Sequence, residues 1–174
     1  MTIDELLKSS GIAHGAGRQS VDATPDGMRR VYLHAGQLYA SDQRVEIVTI
    51  LGSCVAVCLY DAARGIGGIN HYMLPMDGPA ASARYANHAF DLLVRQLAAL
   101  GTSQSRLQAK IFGGASMLRE GAITENDLGA RNVAAARARL AQEQIPLVAE
   151  DVGGRHGRKL LFVTSTGGAQ VKQV

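Results

Sequence analysis

The stretch VEIVTILGSCVAVCLYDAARGIGGINHYML, residues 45–74, decides how this chain folds. From Val45 to Tyr60 it is dense in Val, Ile, Leu and Cys, the residue types that fill buried, pleated strands. Gly52-Ser53 breaks that run with two small residues suited to a sharp turn, so the pattern is strand, turn, strand. Asp61 to Arg64 then makes a loop. Gly65 to Leu74 sets Ile66, Ile69 and Tyr72 among small or polar residues until Pro75 ends it. The spacing predicts a hairpin in which the strand opened by Cys54 pairs with the strand that ends near His71.

Outward from this centre, Met1 to about Arg29 mixes Gly, Ser, His, Pro and Asp without a sustained period, and Pro25-Asp26 suits a turn. Residues 1–29 are expected as a flexible lead-in to one domain over residues 30–174. Between Val31 and Ala40 the apolar residues recur irregularly around Gly36. On the C-terminal side, Ala86, Phe90, Leu93, Leu97 and Leu100 fall at gaps of 4, 3, 4 and 3, one face of a helix that Gly101 stops. Leu107 to Phe112 is a further strand ending at Gly113-Gly114. Leu128 to Gln144 carries Val133, Ala136 and Leu140 at helical spacing, with Pro146 beyond its end. Short strands are predicted at residues 146–151, 159–164 and 169–173. Strands outnumber helices, and neither regular βαβ alternation nor an internal repeat is present. The fold class is α+β: a layered sandwich, mostly β-strands, with two packed helices.

Composition narrows the function classes. With 174 residues, 47% hydrophobic, 19% charged and four prolines, the chain can bury a core of ordinary size and is not a disordered, collagen-like or disulfide-scaffold sequence. Its longest nearly apolar run, Val45 to Tyr60, contains Glu46, Thr49, Gly52 and Ser53 and is shorter than the ~20 apolar residues of a membrane span. Asp4, Glu5 and Lys8 interrupt the place where a signal peptide needs an apolar core, so a cytoplasmic location without membrane insertion is expected. Net charge is +3, with no run of Lys and Arg, and three Phe, five Tyr and no Trp offer little to stack on bases. Nucleic acid is not expected as a partner.

Two residues stand out chemically. Cys54 and Cys58 lie four apart, which on a strand separates their Cα atoms by ~13 Å, whereas a disulfide needs less than about 7 Å. They are expected to remain unbridged, on one face of the strand. Cys54 directly follows Gly52-Ser53, a turn that leaves backbone N–H groups beside the sulfur, while Cys58 is enclosed by Val57 and Leu59. Cys54 is therefore the candidate nucleophile and Cys58 a packing residue. A thiol needs a base. Of five histidines, His14 lies in the lead-in, His34 and His88 in structural elements and His156 in a Gly-rich loop, whereas His71 ends the strand predicted to pair beside Cys54. Thr49, just before the turn, can orient the imidazole through its hydroxyl or carbonyl. Spacing alone leaves the plainer reading open, because a lone Cys is more often a small core residue and a strand-end His more often a surface one. No CxxC or HxxxH spacing points to a metal. The pairs Gly113-Gly114, Gly153-Gly154 and Gly167-Gly168 lack the phosphate-loop pattern and suit tight turns.

Five blocks occur in order: TILGSCVAVCLYD (49–61), GIGGINHYMLP (65–75), KIFGGASML (110–118), LGARNV (128–133) and AEDVGG (149–154). Together they resemble the CheD family of chemoreceptor glutamine deamidases, over about residues 31–174. The resemblance implies a layered α/β sandwich, with Cys54 of the GSC turn as nucleophile, His71 before MLP as base and Thr49 completing the site. Some members read TLGLGSC where this chain has TILGSC. It further implies hydrolysis of glutamine side-chain amides to glutamate on methyl-accepting chemotaxis receptors, releasing ammonia with no metal or organic cofactor. The oxyanion would be held by backbone N–H groups around Gly52, Ser53 and Cys54. Ser116 could line the substrate mouth or belong to a plain turn; Arg131 and Asn132 could meet a partner or be solvated helix residues; Gly153-Gly154-Arg155 could frame the site or only connect strands. The competing reading is a non-catalytic chemotaxis adaptor, docking on receptors or on a CheC-like phosphatase. A peptidase or transglutaminase-like amidohydrolase fits the five blocks less well.

Overall fold

Residues 12–14, 19–76, 78, 82–118 and 120–174 are described by the structure, a computed structural model. Eleven strands are β1 (Ile12–His14), β2 (Ser20–Ala23), β3 (Arg29–Tyr32), β4 (Leu38–Ser41), β5 (Val45–Leu51), β6 (Val55–Asp61), β7 (Ile66–Tyr72), β8 (Gln108–Gly113), β9 (Leu147–Val152), β10 (Arg158–Val163) and β11 (Ala169–Gln173). Among the described residues, two α-helices, α1 (Ala86–Ala99) and α2 (Leu128–Gln142), accompany them. The strands form a six-stranded sheet in the order β1-β4-β7-β6-β8-β9 and a five-stranded sheet in the order β11-β10-β5-β3-β2.

The apolar density of residues 45–74 follows from the layering. Every residue of β6 and β7 is buried, because the six-stranded sheet is the middle layer. Val55, Val57 and Leu59 of β6 face the helices, packing with Phe90, Leu93 and Leu97 of α1 and Val133, Ala136 and Leu140 of α2. Ala56, Cys58 and Tyr60, of opposite parity, face the second sheet and meet Ile47, Leu51, Leu160 and Phe162. The result is helices, six strands and five strands in three layers, the α+β sandwich the sequence predicts. Gly67 in β7 shows how closely the layers approach: a Cβ there would lie 2.1 Å from the Thr164 carbonyl oxygen. Among the described residues, no helix is long and apolar enough to cross a membrane.

The predicted hairpin is present, with Val55 opposite Tyr72 and Asp61 opposite Ile66. β5 and β6, however, do not pair. They belong to different sheets, so the Gly52–Cys54 turn carries the chain from one layer to the other. One βαβ unit is present, β8 and β9 being parallel on either side of α2. Among the described residues of 1–29, two strands are also found: β1 pairs with β4, and β2 pairs with β3. All four residues of β2 are exposed, so no alternation marked that strand in the sequence. The Pro25-Asp26 turn before β3 is closed by the Met28 amide donating to Thr24 Oγ1 at 2.9 Å. Residues 1–11 and 15–18 of the expected lead-in lie outside the described residues.

Both cysteines are free thiols. Cys58 is fully buried, and burial pushes its thiol far above the ordinary range, so it stays neutral. Cys58→Ala is expected to lower stability by about 1–2 kcal/mol through lost packing. Urea unfolding checks this; an unchanged midpoint would remove Cys58 from the core's energetics.

Candidate functional site

Strand parity assembles the site. Ile47 and Leu51 of β5 point between the sheets, and Thr49 shares their face; Ile69 of β7 does likewise, and His71 shares its face. Cys54 packs against the same inter-sheet core, and His71 sits opposite Ala56, two residues along from Cys54. Residues from both sheets thus meet at one end of the sandwich.

The Thr49 hydroxyl lies 2.8 Å from Leu33 O and 2.8 Å from His71 Nδ1. A hydroxyl has one proton. Donated to the Leu33 carbonyl, it leaves the Thr49 oxygen to accept from Nδ1–H, which assigns the free lone pair of the imidazole to Nε2. Burial, with a smaller contribution from His34, lowers His71 to about 4 from its ordinary 6.5. Cys54 is half-buried; desolvation raises its thiol above the ordinary value, and its own amide N–H partly offsets that. The resting pair is therefore neutral thiol and neutral imidazole, suited to proton transfer during attack rather than to a stored thiolate. Both line a pocket of about 370 Å³ with Thr49, Ile50, His34 and Lys159.

Behind the thiol, three consecutive carbonyls of the turn are anchored. The Ala115 amide donates to Gly52 O at 2.9 Å, Asn132 Nδ2 to Ser53 O at 2.9 Å and the Gly114 amide to Cys54 O at 2.8 Å. In a trans peptide the C=O and the following N–H point in opposite directions. Anchoring Gly52 O and Ser53 O therefore turns the Ser53 and Cys54 N–H groups away from these contacts; among the described residues neither donates to a main-chain acceptor in this turn, and the Cys54 N–H faces its own sulfur. Gly113 explains the glycine pair after β8: its φ is 104°, and a Cβ there would lie 2.3 Å from Cys54 O.

The structure brings Thr49, Cys54 and His71 together and places Ser116 elsewhere. Ser116 is buried, donates its amide to Gly154 O at 2.8 Å and lines a second pocket of about 240 Å³ with Ser53, Met117, Leu118 and Leu128. Gly52 is half-buried with Met117 over it. Arg131 is exposed, but Asn132 is fully buried, neither partner-facing nor solvated, and its side chain holds the Gly52–Cys54 turn. His34 and Lys159 also line the pocket of Cys54 and His71, from a loop and from β10, and no local motif marks them in the sequence. Among the described residues no group of three or more His, Cys, Asp or Glu could hold a metal ion.

A half-buried thiol, an imidazole with its tautomer set by a hydroxyl, and a turn with its amides freed define an α+β protein with a cysteine–histidine site. Its family follows from comparison with known proteins. Residues 73–173, more than half of the chain, match the family described as CheD chemotactic sensory transduction. The chain belongs to the CheD family. Thr49, Cys54 and His71 precede that segment, but alignments to full-length relatives extend further. The chain is 40% identical over 173 residues to the "probable chemoreceptor glutamine deamidase CheD 1" of Anaeromyxobacter dehalogenans, covering 97% of this chain and all of that protein. It is 42% identical over 145 residues to the "probable chemoreceptor glutamine deamidase CheD" of Laribacter hongkongensis, covering 80% of this chain and 69% of that protein. A protein of the same name from Burkholderia vietnamiensis is 41% identical over 150 residues, 83% of this chain and 60% of its own length.

Proposed function

We propose that this chain hydrolyses glutamine side-chain amides on chemoreceptors, with Cys54 as nucleophile, His71 as general base and acid, and Thr49 as the hydroxyl that orients His71. The observation that carries this reading is the Thr49 bridge from Leu33 O to His71 Nδ1, which leaves Nε2 as the basic nitrogen. His71 Nε2 takes the Cys54 proton as sulfur bonds to the amide carbon, and the carbonyl π electrons move onto oxygen. The Ser53 and Cys54 N–H groups receive that oxyanion. As it collapses, the C–N bond breaks and protonated His71 gives its proton to the departing nitrogen, releasing ammonia and leaving a thioester. Water, deprotonated by the same imidazole, adds to the thioester; the C–S bond breaks, glutamate forms and the thiol is restored. Each step uses groups on this chain and water. The relatives' names and the family description support chemoreceptors as the substrate. Their cytoplasmic helices are the proposed target and the cytoplasm the proposed location, and a CheC-like phosphatase is a proposed further partner.

Incubating the protein with a purified chemoreceptor cytoplasmic fragment should release ammonia and convert particular glutamines to glutamates, mapped by peptide mass spectrometry. Absence of both products with a fragment that binds would overturn the assignment.

A further inference from the structure

Asn132 was noticeable in the sequence as part of LGARNV and is put to an unexpected use in the fold. Its side chain is fully buried. Nδ2 donates one proton to Ser53 O and the other to Met73 O, both at 2.9 Å. Oδ1 has no partner among the described residues. Both of its donors are committed to main-chain carbonyls of two different segments, which a side chain that only fills space would not do. The two carbonyls it holds lie in the Cys54 turn and just past the strand that carries His71. Ser53 O belongs to the peptide group whose N–H is that of Cys54, and Met73 lies two residues beyond His71.

We propose that Asn132 is a positioning residue that aims the Cys54 amide N–H at the developing oxyanion and ties that peptide to the strand carrying the base. This rests on the reading of Cys54 as an acyl-transfer nucleophile. The peptide plane is rigid, so fixing Ser53 O fixes the direction of the Cys54 N–H. Of the three anchors on the turn, two are main-chain amides and Asn132 is a side chain, so its contribution can be removed by substitution. Tyr72 reinforces the arrangement, its hydroxyl donating to the Asn132 main-chain carbonyl.

Two small probes of the same sulfur separate aiming from scaffolding, and neither requires a receptor. Iodoacetamide alkylates the Cys54 sulfur, which bonds to a saturated carbon as iodide leaves, so no oxyanion forms. p-Nitrophenyl acetate is attacked at its carbonyl, passes through an oxyanion, expels p-nitrophenolate and leaves an acetyl thioester. Asn132→Ala should keep the alkylation rate of Cys54 within about twofold and lose about tenfold or more of its acylation rate, as expected when an oxyanion donor is misdirected. With a receptor fragment, kcat should fall while KM holds. Equal acylation in variant and native chain would overturn the proposal. A parallel fall in both rates would also overturn it, because the turn would then have moved as a whole. Asn132→Leu, closer in volume, repeats the comparison; failure of both variants to fold would assign the side chain to the scaffold alone. A native chain that acylates normally but deamidates no receptor would count against the proposed substrate, not against Asn132.

Discussion

Cys54→Ser should bind a receptor cytoplasmic fragment within a few fold of the native chain and release no measurable ammonia, a loss of about four orders of magnitude or more in turnover. Binding draws on a broad surface to which one side chain contributes little, and oxygen replaces sulfur with a small change in volume. Turnover, by contrast, depends on one atom becoming an anion. Burial already raises the Cys54 thiol, so the native proton transfer to a neutral imidazole is uphill, and an alcohol in its place lies further out of reach of that base. Titrating binding and measuring ammonia on the same preparation separates these effects. The same variant should fail to restore chemotaxis in cells that require the protein. Full rescue by Cys54→Ser would show that docking suffices and would favour the adaptor reading.

The parts of this site that share a short stretch were legible in the sequence; those brought in by the sandwich were not. Phe90, Leu93 and Leu97 reveal α1 because one helix face meets the sheet, and the β6–β7 hairpin follows from two apolar runs with a loop between them. Equal parity likewise places Cys54 and Cys58 on one face, as found. What spacing does not contain is that β5 and β6 lie in different sheets. Thr49 therefore reaches His71 across the interior rather than along a shared ladder. Asn132, His34 and Lys159 join the site from α2, a loop and β10, at separations where no periodicity connects them to Cys54. Ser116 illustrates the converse: its block is close to the turn, but the Gly113-Gly114 bend directs it to the neighbouring pocket.

His71→Asn should reduce deamidation by about 10²–10⁴-fold and slow iodoacetamide at neutral pH. Asn can still offer a donor toward Thr49, but it has no lone pair to replace Nε2, so the thiol loses its proton acceptor. The pH dependence of the native chain tests the same residue independently. Because burial lowers His71 to about 4, the base stays unprotonated well below 6.5, and the acid limb of the native rate should fall near pH 4 to 5. Stability carries the opposite face of that shift. Between about pH 6.5 and 4 the unfolded chain binds a proton at His71 that the folded chain does not, so stability is present above 6.5 and is lost as pH falls toward 4. The difference between 6.5 and about 4 corresponds to on the order of 3 kcal/mol. Urea midpoints taken across this range should drop more steeply for the native chain than for His71→Asn, since carboxylates contribute equally to both. Parallel curves, together with an acid limb near 6.5, would mean that His71 is solvated when folded, and the neutral imidazole could not then be the base held by Thr49.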